Sequence, residues 1–409
     1  MKKFFALLLS LAMVLALVAC GQKETTTPDD TQTPDDTTPE VEYKIAMITD
    51  YGDITDQSFN QTTYEACKAF AEDNSIEFSY FKPAGDNTAD RVAMIEKAVN
   101  DGFNVIVMPG YAFGGAIVEA APEFPDVKFI ALDVAAGDLL ETAVAKAGEA
   151  YDYTPENWDL NKYVDMSNVY CAVYQEELCG YMAGYAAVKL GYKNLGFLGG
   201  MSVPAVVRYG YGFVQGVDAA AADLGLTDVK LNYIYGGQFF GDADITAVMD
   251  TWYQGGTEVV FACGGGIYTS AVDAAKKANA KVIGVDVDQA GVIAKYAGVD
   301  GMTVTSAMKG LYPATYDTLT DVIVNGNWDK YVGKIATLGL VSGTDPEANY
   351  VQIPMGDGTQ WSDSFTQDDY KAMVKDMFDG KITVSNDTTK APTDFATAIT
   401  VNAQGQIKG

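Results

Sequence analysis

Residues 45–61 read IAMITDYGDITDQSFNQ. Ile45 to Ile48 is an uncharged apolar run, Gly52 permits a tight turn, and Ser58 is placed to cap a helix over 58–73. A short apolar run closed by turn residues and followed by an amphipathic stretch predicts a buried strand and then its covering helix. Downstream the unit repeats. Further runs lie at Phe78–Phe81, Val105–Met108 and Phe129–Leu132, with helical candidates at 88–101 and 114–123. In the first of these helices Val92, Ile95 and Val99 share one face. Strands alternating with helices predict a parallel sheet covered on both sides.

Residues 135–166 break the rhythm with a polar, aromatic stretch and read as an insertion at the edge of a first lobe spanning 43–166. The pattern then restarts at Val169–Val173. It continues through a helix near 176–190, a run at Asn194–Gly200, a helix near 203–224, and runs at Leu231–Tyr235, Val259–Ala262 and Val282–Val285. This predicts a second lobe over 167–301. Residues 302–390 are expected to cross between the lobes and complete their edges, and residues 391–409 to form a loosely ordered tail. The fold class expected is therefore α/β, with two parallel-sheet lobes facing a shared cleft.

Upstream, residues 1–22 read MKKFFALLLSLAMVLALVACGQ. Two lysines, an apolar run and a small residue before Cys20 describe a secretory signal over residues 1–19. The pattern resembles a bacterial lipobox, in which the chain is cleaved before the cysteine and the thiol is lipidated. Residues 20–42, dominated by Thr, Pro and Asp, are expected to be a disordered linker. The protein would then sit on the outer face of the bacterial cytoplasmic membrane. A net charge of −28 argues against nucleic acid and anionic lipid surfaces as partners. The chain has no histidine, which removes the commonest general base and metal ligand. Cys67, Cys171, Cys179 and Cys263 form no CxxC pair and are expected to be buried thiols, a Cys171–Cys179 bridge being the alternative. No metal or cofactor is expected.

Open parallel sheets bind ligands beyond the carboxyl ends of their strands. Asp50, Asp133 and Asp286 each follow an apolar run at such an end. Three carboxylates around a cleft can hold a metal, perform acid–base chemistry, or accept hydrogen bonds from a polar ligand. They come from separate strands, without a metal-binding cassette or a GxSxG nucleophile signature, so reversible binding of a neutral polar molecule is the simplest reading. Phe59 and Asn60 open a helix at the same mouth. They fit either a stacking ring with a hydrogen-bonding amide, or a packing anchor with a solvated polar group. Gly110 and Gly264 follow other strands, where small residues let the backbone approach a ligand. Gly264-Gly265-Gly266 lacks the spacing of a phosphate loop.

Several blocks occur in order: Asp50 with Asp56-Gln57-Ser58-Phe59-Asn60-Gln61, Phe129–Asp133, Val282–Gln289 and Thr305-Ser306-Ala307-Met308-Lys309. Together they resemble the basic-membrane-protein family of substrate-binding lipoproteins, which includes the purine nucleoside receptors of ABC importers. The resemblance covers about 43–345. It implies a fold of the periplasmic-binding-protein type, similar to ribose-binding protein, with a nucleoside held between two lobes and passed to a membrane permease. By position Phe59 resembles the base-stacking aromatic, Asn60 and Asp133 the groups that read the base edge, and Asp286 with Lys309 the ribose-binding pair. Asp50 lines the same pocket. A second stacking aromatic is expected from the other lobe, with Phe261, Phe240 and Tyr209 as candidates. The resemblance implies no catalysis, and a monomer is expected. A sugar-binding sensor and a carboxylate-dependent nucleoside or sugar hydrolase are the rival readings.

Overall fold

In a computed structural model that describes residues 42–408, the first apolar run is β1 (Lys44–Ile48), four of whose five residues are buried. The secretory signal, Cys20 and the linker up to residue 41 lie outside the described residues, as does Gly409. The chain continues through α1 (Phe59–Asn74), β2 (Glu77–Phe81), α2 (Thr88–Asn100), β3 (Val105–Pro109), α3 (Gly114–Ala120), β4 (Lys128–Leu132), α4 (Ala136–Lys146), α5 (Leu160–Tyr163) and β5 (Val169–Tyr174). Next come α6 (Glu176–Lys189), β6 (Asn194–Gly199), α7 (Pro204–Asp223), β7 (Lys230–Tyr235), α8 (Ala243–Gln254), β8 (Val259–Cys263), α9 (Tyr268–Ala278), β9 (Lys281–Asp286), α10 (Ala290–Ala297) and β10 (Thr303–Lys309). The last elements are α11 (Leu311–Leu319), β11 (Lys334–Leu338), β12 (Val351–Gln352), α12 (Gln367–Phe378) and β13 (Thr400–Gln406).

Two sheets result, ordered β11-β5-β4-β3-β1-β2 and β12-β10-β9-β8-β6-β7-β13. Neighbouring strands are parallel throughout except β12, which runs against β10. The expected α/β class with two parallel sheets is what the chain adopts. Among the described residues no helix is long and apolar enough to cross a membrane.

The lobe boundary differs from the sequence reading. β5, expected to open the second lobe, pairs with β4 in the first sheet, Phe129 opposite Val169. The first lobe therefore runs to Tyr174. Residues 135–166 are not irregular throughout, because α4 is a regular crossover helix that buries Leu139, Leu140, Ala143 and Val144. Its start is set by Asp138, whose carboxylate accepts the Ala135 N–H at 2.7 Å. The tail also departs from expectation. β13 adds a seventh strand beside β7, pairing Thr400 with Lys230. Just before it, Asp218 of α7 accepts the backbone N–H groups of Thr397, Ala398 and Ile399 at 2.7, 2.6 and 3.3 Å.

The chain passes between the lobes at three places: after β5, after β10 and after β11. These passages are hydrogen-bonded side by side. Gln175 N–H meets Leu338 O at 2.9 Å, Tyr350 N–H meets Gly339 O at 3.0 Å, and Gly310 N–H meets Tyr350 O at 2.7 Å. A short three-stranded waist of this kind is the usual place for a hinge.

The second lobe owes its shape to the crossing of α6 and α7. Gly180 and Gly184 on α6 face Gly212 and Gly216 on α7. A methyl group at Gly180 would strike the Tyr209 carbonyl, at Gly184 that of Phe213, at Gly212 that of Glu177 and at Gly216 that of Tyr181. Paired glycines four residues apart let two helix backbones touch. The contact brings Glu176 at the start of α6 beside Arg208 on α7, and the same carboxylate reaches Lys309.

Candidate functional site

The start of α1 is built by Asp56. Its carboxylate accepts the backbone N–H groups of Ser58, Asn60 and Gln61 at 2.9, 2.9 and 3.1 Å. Ser58 occupies the cap position but makes no capping bond with its side chain. Its hydroxyl is thereby free to cross the cleft, where Ser58 Oγ donates to Asp286 Oδ2 at 2.5 Å. Tyr209 OH donates to the other oxygen of Asp286 at 3.3 Å. Gln289 of the second lobe also reaches the first, its Nε2 donating to Gln57 O at 3.2 Å.

Asp133 and Asp286 hold equivalent places at the ends of β4 and β9. Both have left-handed backbones, with φ of +59° and +65°. Aspartate tolerates this conformation better than most residues, and it turns the chain sharply at the strand end. Lys309, at the end of β10, joins the two. Its ammonium contacts the Asp133 carboxylate directly, Glu176 Oε1 at 3.4 Å and Asp286 Oδ1 at 3.8 Å. Arg208 Nε closes the chain of charges on Glu176 Oε2 at 2.7 Å.

Burial is the largest influence on the titration of Asp133, Asp138 and Asp50. It pushes the Asp133 carboxyl up to about 6 although the Lys309 ammonium opposes the shift. Burial likewise lifts Asp138, on the same wall, to about 7, and Asp50 above its ordinary value. Burial works to lower Lys309, but Asp133, Glu176 and Asp286 together hold it above the usual lysine range. At neutral pH the Asp133–Lys309 pair is therefore ionised. Two buried acceptors in the wall, Asn60 Oδ1 and Asp133 Oδ1, have no partner among the described residues. Such atoms are costly unless something donates to them.

One cavity between the lobes is lined by Asp50, Phe59, Asn60, Asp133, Gly264, Asp286 and Lys309, so the residues singled out in the sequence come together. Gly110 lines it as well. The three candidates for the second aromatic fall in different places. Phe240 is 59% exposed and Phe261 is fully buried in the core, whereas Phe239 lies in the cavity wall. Tyr209 also lines the wall, with its hydroxyl engaged on Asp286. The Phe239 ring rests on glycines: a methyl group at Gly200 would overlap it, and one at Gly264 would lie 2.7 Å from its Cδ1. Gly264 thus seats a side chain as well as lining the cavity. Tyr51 reaches across from the first lobe and stacks on Phe239, ring centroids 6.3 Å apart at 28°.

Sequence reasoning also passed over Arg208 and Asp138. Asp138 was hidden in the supposed insertion. Arg208 had a readable signal, because the chain contains only two arginines and this one lines the cavity. The other, Arg91, is buried with its guanidinium 5.7 Å from the Tyr51 ring centroid. Cys67, Cys171, Cys179 and Cys263 are buried free thiols.

A cavity of carboxylates, cations and aromatic faces between two lobes is suited to grip a small polar molecule. Comparison with known proteins agrees with this architecture. The chain is 25% identical over 359 residues to the ABC transporter nucleoside-binding protein BmpA of Lactococcus lactis, covering 84% of this chain and 90% of that protein. It is 26% identical over 311 residues to an uncharacterized lipoprotein of Pyrococcus abyssi, covering 73% and 67%. In fold it is similar to an ABC transporter solute-binding protein from Aeropyrum pernix, with a TM-score of 0.60, 20% identity and coverage of 86% and 90%. The family model described as Bmp, ABC transporter substrate-binding protein PnrA-like, matches residues 43–345. The chain belongs to the Bmp family of PnrA-like ABC transporter substrate-binding proteins.

Proposed function

We propose that the cavity takes a purine nucleoside, that the lobes close on it about the three-stranded waist, and that the closed form hands it to a permease. The observation that carries this reading is the pair of unpartnered buried acceptors, Asn60 Oδ1 and Asp133 Oδ1, in a wall that also holds Phe59 and Phe239. A nucleobase brings both complements, a flat face and N–H donors on its edge. Stacking on an aromatic side chain is worth about 1–3 kcal/mol per base. Ribose hydroxyls would donate to Asp286, and Lys309 would donate to ribose oxygens, with charge-assisted bonds of about 1.5–3 kcal/mol. A bare sugar would leave the acceptors on the Asn60 side without their N–H donors. The name of the Lactococcus relative, a nucleoside-binding protein, favours the same ligand class.

Closure follows from contacts made to both lobes, since a ligand shifts an equilibrium only by binding one state better. The anchor is proposed at Cys20, which would hold the protein on the outer face of the membrane. Titration calorimetry with inosine, guanosine, adenosine and ribose tests the ligand class. Saturable binding of a nucleoside with none of ribose is expected, and mass spectrometry of the heat-released small molecule should find the nucleoside intact. Binding of ribose alone, or release of free base on incubation, would overturn the reading. Incorporation of a palmitate analogue that is lost in Cys20→Ser tests the anchor.

A further inference from the structure

Phe239 sits on a loop, residues 236–241, that is tied to the far end of the chain. Ile407 N–H donates to Tyr235 O at 2.8 Å, immediately before the loop. The Lys408 carbonyl lies so close to Gly237 that a methyl group there would strike it. The Lys408 ammonium pairs with Asp242, immediately after the loop, and lies 3.4 Å from Asp244. Asp242 in turn accepts Gln238 Nε2 at 2.9 Å, and the same nitrogen donates to Phe240 O at 2.9 Å. The loop is therefore braced at both ends by residues 406–408, and Phe239 is at its centre. On its other side it rests on Gly200 and Gly264 and pairs Phe240 with Gly266. These bracing residues lie beyond the segment 43–345 that matches the family.

We propose that the C-terminal strand is a positioning element for the ligand site, with Lys408 fixing loop 236–241 and so presenting the Phe239 ring. This rests on the reading of Phe239 as a ligand-stacking aromatic. β13 reaches the loop because β7, its partner, is the strand that leads into it. A ring that must be ordered on binding costs affinity, and a ring already held does not. The partners of the Lys408 ammonium, Asp242 and Asp244, do not line the cavity, so it acts through the loop.

The test uses the full chain with inosine as probe. Lys408→Glu places a carboxylate beside Asp242 and Asp244 and should weaken inosine roughly fivefold, the lower end of ordinary site-to-site coupling. Lys408→Arg should restore wild-type affinity. Gln404→Ala removes the 3.2 Å bond from Trp252 Nε1 in the middle of the same strand, and should leave inosine affinity unchanged whatever it does to the melting temperature. Hydrogen exchange of amides 236–242 in the ligand-free protein should quicken in Lys408→Glu and not in Lys408→Arg. Full affinity in Lys408→Glu, while Phe239→Ala binds weakly, overturns the positioning role alone. Full affinity in Phe239→Ala overturns it together with the stacking reading. Equal losses in Lys408→Glu and Gln404→Ala would mean general destabilisation and also overturn it.

Discussion

At the scale of single residues, the site joins groups that ask for a ligand to groups that only hold them. On the proposed reading Phe59, Phe239 and Asp286 belong to the first kind. Replacing any of them with alanine should weaken nucleoside binding at least about tenfold, or 1.4 kcal/mol, in calorimetry. Unchanged affinity in all three would remove the site assignment. Gly264 belongs to the second kind. Its φ of +141° disfavours a side chain, and the Phe239 ring fills the space a methyl group would need. Gly264→Ala should therefore weaken binding about fivefold or more while straining the backbone by about 1–3 kcal/mol. A matched fall in melting temperature would accompany it. Asp50, Asp133 and Asp286 were legible in the sequence because each ends an apolar run, where a parallel sheet delivers its side chains to a cleft. Phe239 was not, because it lies in an irregular loop after β7 whose course depends on residues over 150 positions away. Gly264 was visible as a strand-end glycine, but what it made room for was a ring that no spacing rule could bring there.

At the scale of elements, β1 to β9 and the helices α1, α2, α3, α6 and α7 were readable from periodicity, and α1, α2 and α6 begin within a residue of the expected positions. β13 was not, because TVNAQGQ on an exposed sheet edge has no apolar run to announce it. The glycines of α6 and α7 carried a pattern that went unread, since glycine within a helix usually signals weakness. Their effect now separates cleanly by position. At Gly212 any side chain would meet the Glu177 backbone, which cannot rotate away. Gly212→Val should cost about 3 kcal/mol in urea unfolding, as overpacking against a fixed backbone does. Gly291 in α10 faces open space. Gly291→Ala should instead stabilise the protein by about 0.5–1 kcal/mol, the ordinary helix preference for alanine. The same sign for both variants would contradict the close helix crossing.

For the whole molecule, the two-lobed plan was legible from the repeated strand–helix rhythm, but the boundary was not. A polar stretch looks like a domain edge, whereas the chain here crosses between lobes inside a regular sequence of elements, from β5 directly into α6. What the lobes enclose sets the response to pH. Burial lifts Asp138 and Glu177 to about 7 and Asp133 to about 6, while the unfolded chain would release those protons near ordinary carboxyl values. Between about pH 4 and 7 the folded protein thus holds more protons than the unfolded one, and stability falls as pH rises, by about 1.4 kcal/mol per pH unit for each such proton. The net charge of −28 acts in the same direction, since protonation relieves self-repulsion. Acids whose partners hold them low, such as Asp53 beside Lys82 and Asp228 beside Lys193, reverse the trend only below the ordinary carboxyl range. The ligand-free protein should therefore melt at higher temperature near pH 5 than at pH 8. Nucleoside affinity should move the opposite way, because protonation below about pH 6 takes the charge and part of the acceptor capacity from Asp133 and so weakens its bond to a donor edge. Calorimetry and thermal melts on one buffer series separate the two slopes. If affinity and stability rose together toward pH 5, Asp133 would not be the group that reads the base.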